Sequence, residues 1–466
     1  KVDEINSLSS EIATINKHVN VIELSGAKAN ELRDKRTLLV DALSAIVSVD
    51  VKEYKITDPN DPGRETGASA YIVKIAGGQT LVDTDEYRTL QCIARTADEK
   101  VNQSDIDGLY DVYWVTNINT GALGDEFNLY TASLGGELEG LIQMRDGNNS
   151  ENFKGSITGI SGIVSSGGRS TQEVTVRVSL DYLKDLDKTT LSDTGGVISL
   201  ANKEYYYDEW SYSLDSNTGE CVYTFTIDIT KSEASVPSFY TGKEAEIGYS
   251  VNYQGIPYYQ QQLNEWCRIY ANAFNNILKE GFTSDGAVGD NLYTADVPTD
   301  AKQYKFEKSY KIADAAGLMT ASRDDDTYYK LTAKNFNILT SIKNDASLLA
   351  TKSDRAAGEE ESGIISRLID MASNKEVASY RGAATQEFLT CVLSDVALNA
   401  KNASVFSSNY QNIGKTINNQ RISISGVDRD DEAINLLKYQ NSYTLASKMI
   451  QTLTEVYDRL ILQTGV

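Results

Sequence analysis

Residues 425–466 read SGVDRDDEAINLLKYQNSYTLASKMIQTLTEVYDRLILQTGV, and the fold turns on how this stretch is read. Gly426 is a helix stop. Asp428, Asp430, Asp431 and Glu432 crowd the turn after it, where acidic side chains offset the positive end of a helix dipole. Leu436, Tyr439, Tyr443, Ala446, Ile450, Leu453, Tyr457 and Leu460 then follow at alternating steps of 3 and 4, the heptad seam of a coiled coil. Between them Lys438, Asn441, Lys448, Glu455, Asp458 and Arg459 suit a solvated back face. One terminal helix cannot bury such a seam against itself, so the pattern predicts a partner.

Just upstream, Leu389, Leu393, Val396, Ala400, Ala403, Phe406, Tyr410, Ile413 and Ile417 trace a face of another long helix. Gly414 inside it costs about 1 kcal/mol against alanine and marks a bend. At the opposite end Ile5, Leu8, Ile12, Ile15, Val19 and Ile22 repeat the spacing until Ser25-Gly26. A second helix over about 30–46 carries Leu32, Leu39, Leu43 and Ile46 on one face, with Asp34 and Arg36 read as ion-pairing surface groups.

From Val49 the periodicity becomes two. Tyr71–Ile75, Gly77-Gly78 and Thr80–Val82 predict a hairpin, and the 58–63 stretch reads as a surface loop lacking the full pattern of a calcium loop. Strands are predicted at Tyr110–Val115, Val174–Leu180, Tyr205–Trp210 and Cys221–Ile229, with a turn at Ser216–Gly219. A helix begins at Gly135-Gly136, and another face runs through Leu263, Trp266, Tyr270, Phe274 and Ile277 to Gly281. Tyr304–Ile312 alternates and is expected to pair with Tyr328–Thr332; 324–326 reads as a turn, and a helix is expected over Ile364–Ala372.

Composition narrows the function classes. There are 66 acidic residues against 44 basic ones, a net charge of −22, which repels nucleic acid and anionic membrane alike. No apolar run approaches the ~20 residues of a membrane span, so no membrane insertion is expected. Cys92, Cys221, Cys267 and Cys391 are far apart and read as separate small apolar residues. The lone histidine, His18, excludes a multi-histidine zinc site and reads as a helix-surface residue. Carboxylates are plentiful in 155–255, but nothing selects a catalytic pair. The expectation is no catalysis, no cofactor and no metal.

The run Gly426-Val427-Asp428-x-Asp430-Asp431-Glu432, with Leu436, Tyr439-Gln440, Tyr443 and Ala446, resembles the C-terminal signature of bacterial flagellar axial proteins, although Asp431 stands where Glu is usual. Leu32, Asp34, Arg36, Leu38 and Leu39 resemble a Leu-x-Asp-x-Arg motif of the hook-associated protein 1 family, whose second Asp is Thr37 here. Gly77, Gly78, Gln79, Leu81 and Val82 fit that family's glycine turn. Gly135–Asp146 is similar to its Gly-x-Leu-x-Gly-Leu-x-x-x-Arg-Asp element, and Leu263-Asn264 through Asn275 to the segment that follows it.

The resemblance implies a structural subunit joining flagellar hook to filament. Its partners would be copies of itself in a ring, hook protein, the filament-side junction protein and an export chaperone on the C-terminal helix. It further implies an extracellular protein exported by the flagellar type III apparatus without a cleaved signal peptide. The family's N-terminal axial segment is absent before Lys1, so this chain alone is expected not to complete the axial pairing. The expected fold is α+β and multidomain, with an elongated, discontinuous helical-bundle or coiled-coil core formed by both chain ends. That core takes 1–48, 135–150, 259–282 and 380–466. Around it are expected a β-rich hairpin region (49–134), an inserted all-β outer domain (151–258) and a mixed α/β outer domain (283–379). The competing reading is a surface adhesin or carbohydrate-binding protein using the aromatic-rich 151–258 insertion.

Overall fold

In a computed structural model, residues 1–464 are described except Thr299, Ala357 and Glu359, and they divide into two units, 1–388 and 389–466. Helices α1 (Val2–Leu24) and α2 (Asn30–Ile46) open the first unit. Strands β1 (Val49–Asp58), β2 (Asp61–Ile75), β3 (Gln79–Asp83) and β4 (Glu86–Tyr87) follow as an antiparallel meander. The predicted hairpin turn is present, with Ala76, Gly77 and Gly78 all at positive φ (46°, 81° and 120°), the region that glycine occupies without strain. The 58–63 stretch is tighter than a loop. Asp58 pairs with Asp61, so β1 and β2 are one long hairpin.

The 3-4 spacing of α1 belongs to a helix lying on a sheet. Ile5, Leu8 and Ile12 are buried with Leu43 and Ile46 of α2 and with Val73, Ile75, Leu81 and Val82 of the strands. Two asparagines bind strand backbone through both ends of the amide. Asn6 does so at Leu90 (2.8 Å each way) and Asn20 at Ser69 (3.0 and 2.9 Å). Asn16 donates to the Thr84 carbonyl at 2.7 Å. A helical partner, whose backbone bonds are internal, would leave those amides unanswered. Arg36 departs from the surface role expected of it. It is 4% exposed, stacks 3.6 Å from the Tyr71 ring centroid, and bonds Asn16 and Glu53.

Strands β5 (Thr89–Ala94), β6 (Tyr110–Asn117) and β7 (Ala122–Glu126) form a second small sheet, followed by α3 (Gly136–Asp146). The chain then leaves and re-enters beside itself, where Gly147 and Gly255 cross. A Cβ on Gly147 would lie 2.3 Å from the Gln143 carbonyl oxygen, and one on Gly255 would lie 2.5 Å from the same atom. Gly147→Ala or Gly255→Ala is therefore expected to cost about 1–3 kcal/mol in urea unfolding. Gly140→Ala, with open space around its Cβ inside α3, should be neutral or stabilising by up to ~1 kcal/mol.

Between the two glycines lies a barrel. Its strands are β8 (Phe153–Ile160), β9 (Val164–Ser166), β10 (Arg169–Val178), β11 (Gly196–Leu200), β12 (Lys203–Asp215), β13 (Cys221–Asp228) and β14 (Glu244–Ile247). The antiparallel ring β11-β14-β8-β10-β13-β12 closes because β12 also pairs with β11, and closure removes the exposed edges of an open sheet. A bulge at Asp208 flips the inward parity of β12, so that Tyr205, Tyr207, Trp210 and Tyr212 are all buried. These four aromatics fill the barrel instead of lining a groove.

The remainder of the first unit is built on α4 (Ile256–Lys279), with β15 (Tyr293–Ala295) paired to β17 (Phe336–Ile338) and α5 (Gly363–Ser373) packed nearby. Two expectations for 283–379 fail. Strand β16 (Leu318–Ser322) joins the barrel sheet through β12, so the insertion is not self-contained within 151–258. Tyr304–Ile312 is not a strand. Asp326 takes the Lys305 and Phe306 backbone N–H groups, Phe306 sits at φ 54°, and the side chains of Tyr310 and Lys311 both turn onto buried Asp187. The alternation there records inward anchoring of separate residues. Tyr328–Lys330 is a single helical turn.

At the centre of α4, Arg268 is completely buried and has no ion-pair partner among the described residues. Its guanidinium is answered by five backbone carbonyls and the Gln103 amide oxygen.

Helices α6 (Thr385–Ser425) and α7 (Arg429–Thr464) complete the chain, α6 crossing from the first unit into the second. The single helical core expected from 1–48, 135–150, 259–282 and 380–466 is thus replaced by a different partition. The first three segments pack on one another as well as on sheets and loops within 1–388, and 389–466 is a compact unit of its own.

Candidate functional site

The residues singled out at the C-terminus build a helix junction and the exposed surface that follows it. Gly426 ends α6: its N–H donates to the Ile422 carbonyl at 2.7 Å, and a Cβ there would meet that same oxygen at 2.3 Å. Asp428 opens α7, accepting from the Asp430 N–H at 2.9 Å while its carbonyl takes the Glu432 N–H at 3.0 Å. Asp430, Asp431 and Glu432 fill the first turn, where they complement the helix dipole. The polar signature residues are thus explained by stopping one helix and starting the next. Val427, which is 70% exposed, and Gln440, also exposed, have no role in that capping.

All eight seam residues, Leu436, Tyr439, Tyr443, Ala446, Ile450, Leu453, Tyr457 and Leu460, are exposed, as are the other residues of α7 from 429 to 463. The large side chains of the seam range from 53% exposed at Leu453 to 76% at Tyr443. The α6 face behaves alike, with Leu393, Phe406, Tyr410, Ile413 and Ile417 all exposed. Single exposed apolar residues are ordinary, but stripes running the length of two helices mark an interaction surface.

The heptad reading missed a second row on α7. Met449 and Val456, seven residues apart, are also exposed. At ~100° per residue they lie about a quarter turn from the seam and widen it on one side. Lys438, Asn441, Lys448, Glu455, Asp458 and Arg459 take the remaining face, which Ile434 and Leu445 interrupt. A two-stranded coiled coil buries one narrow seam per helix, whereas a seam widened by Met449 and Val456 suits packing against more than one neighbour. The signal was present in the sequence, hidden by matching to a single seam.

Elsewhere the chain offers little reactive chemistry. His18 is exposed on α1, and among the described residues no three His, Cys, Asp or Glu side chains are grouped to hold a metal ion. Cys92 and Cys391 are exposed free thiols. Burial pushes the Cys221 thiol up to about 12 and the Cys267 thiol up to about 11, away from reactivity. No helix among the described residues is long and apolar enough to cross a membrane.

Residues 1–157 match the family described as flagellar hook-associated protein FlgK helical domain, and residues 418–463 match flagellar basal body rod FlgEFG protein C-terminal. The chain is 22% identical over 471 residues to flagellar hook-associated protein 1 of Escherichia coli, covering 99% of this chain and 69% of that protein. It is 22% identical over 468 residues to the protein of the same name from Salmonella typhimurium, covering 99% and 70%. The structure of the flagellar hook junction protein FlgK from Burkholderia pseudomallei aligns with 90% of this chain and 82% of its own. The identity is 12% and the TM-score 0.36, too low for its geometry to be transferred.

Proposed function

We propose that this chain is a structural component of the bacterial flagellum of the hook-associated protein 1 family, and that it joins hook to filament by packing α6 and α7 among neighbouring helices. The observation that carries this reading is the exposed apolar seam of α7, widened by Met449 and Val456 and preceded by the capped junction at Gly426–Glu432. Copies of the chain arranged in a ring, with hook protein on one side and the filament-side junction protein on the other, would supply the several neighbours that widened seam suits. Such a surface would also associate prematurely if left free. That supports a chaperone holding α7 before export through the flagellar type III apparatus to the outside of the cell. Function on this reading is assembly, and the chain supplies packing and geometry without chemistry.

The test is cosedimentation with purified hooks of the same organism. The intact chain should pellet with hooks, and a version ending at Ser425 should stay in solution while keeping the strand signal and melting transition of the 1–388 unit. A truncated chain that still pellets to the same extent removes α7 from the mechanism.

A further inference from the structure

The chain enters α6 through a small clasp. Strands β18 (Ser379–Tyr380) and β19 (Ala383–Ala384) form a two-residue hairpin with Arg381 and Gly382 at its tip. Both tip residues have positive φ, 46° and 85°. Turns of that kind favour asparagine, aspartate or glycine at the first central position, so Arg381 is held in a conformation that its Cβ resists.

A buried ion pair opposes that strain. The Arg381 guanidinium gives Nε and Nη2 to one oxygen of Glu265 on α4, at 3.3 and 3.2 Å, and lies 3.9 Å from Glu151. Glu265 is 1% exposed, and Arg381 is the only cation paired with it among the described residues. Removing one member of such a pair strands a buried charge, which costs far more than an exposed pair contributes. The backbone thus favours release of the hairpin, and the carboxylate favours closure.

Closure seats the first turn of α6. Trp266, next to Glu265 on α4, donates its indole N–H to the Thr385 carbonyl at 3.0 Å, and the Tyr380 and Phe388 ring centroids lie 3.7 Å apart. Thr385 Oγ1 donates to the Ala372 carbonyl on α5 at 3.3 Å, and Glu387 accepts from the Ala384 N–H at 3.2 Å. Tyr380, Ala384, Thr385 and Phe388 are all buried, whereas 389–424 is exposed apart from half-buried Val392. The buried part of α6 is therefore the turn that the hairpin carries.

We propose that the 379–384 hairpin is a strap that fastens the first turn of α6 to α4, kept shut against its own backbone strain by the Glu265–Arg381 pair. It opens as a local unit while the rest of 1–388 stays folded, as segments with few buried contacts do. The proposal is independent of how α7 is covered.

Arg381→Asn tests it, because strain and charge call for opposite results. Asparagine relaxes the turn and removes the cation. With the pair in control, amide hydrogen exchange in peptides covering 375–388 is expected to quicken by at least about tenfold, with protection across 1–374 unchanged. Adding Glu265→Gln removes the stranded charge and should slow exchange again severalfold. Exchange that is unchanged or slower in Arg381→Asn overturns the proposal, since the turn then governs the hairpin without the ion pair. Exchange that quickens throughout 1–388 overturns it as well, by making the pair part of the global core. A double variant that exchanges as fast as the single one does the same, because the buried carboxylate would then not drive the opening.

Discussion

Replacing Arg268 by methionine is expected to remove more than about 4 kcal/mol of stability from the 1–388 unit, placing it among the most damaging single changes in the chain. The guanidinium gives Nε to the Leu331 carbonyl at 3.1 Å. It gives Nη1 to the carbonyls of Leu186 (3.3 Å), Asp187 (2.7 Å) and Thr189 (3.1 Å), and Nη2 to Gln103 (2.6 Å) and the Tyr329 carbonyl (3.0 Å). Its Cζ also lies 4.5 Å from the Tyr329 ring centroid. Three segments distant in sequence are thereby tied to α4: the loop before β6, the chain that plugs the barrel between β10 and β11, and the turn before β17. Methionine matches the length of the side chain but leaves those acceptors buried, each unanswered group costing about 1–3 kcal/mol. Lysine keeps the charge, yet its three donors on one nitrogen cannot reach acceptors spread around a planar fork. Arg268→Lys should therefore recover less than half of the loss. Urea unfolding followed by fluorescence of Trp114, Trp210 and Trp266 measures both variants. A methionine variant within about 1 kcal/mol of the parent would show that the hub is dispensable.

Nothing in the sequence marked that arginine. In LNEWCRIYANAFNN it occupies an ordinary place beside an apolar face, and its importance comes from three loops that no local pattern links to α4. Arg36 was misread for the same reason: its neighbours Asn16, Glu53 and Tyr71 lie on other elements. What was legible was local. The Gly77-Gly78 turn, the ends of α1 and α2, and the stop at Gly426 each depend on residues within a few positions, and each stands where periodicity placed it. Barrel closure depends on β12 pairing with β11, and the far end of β12 also takes up β16, over a hundred residues later, behind a bulge that periodicity does not announce. The α1 seam shows the limit of spacing itself. A 3-4 repeat states that one helical face is apolar, and only the amides of Asn6, Asn16 and Asn20 reveal that strands cover it.

For α7 the covering elements are the neighbours it would acquire on assembly, and Tyr443→Asp combined with Ile450→Asp is expected to separate folding from function there. Both positions are exposed, at 76% and 65%, so the isolated chain should lose no more than the helix-propensity cost of about 1 kcal/mol. In an assembled axis the same carboxylates would be buried without partners, at a cost of several kcal/mol for the pair. With tenfold in affinity for every 1.4 kcal/mol, cosedimentation with hooks should fall by at least a hundredfold. Lys448→Asp on the polar strip serves as the control and should leave binding within a few fold. Met449→Asp probes the second row, and its effect depends on how many neighbours α7 has. If α7 pairs with one helix only, Met449→Asp should resemble the control. If two neighbours flank it, the variant should fail as the seam variants do. An intact response to the Tyr443 and Ile450 pair would mean that these faces stay solvated in the flagellum. The connection would then have to be made by the 1–388 unit.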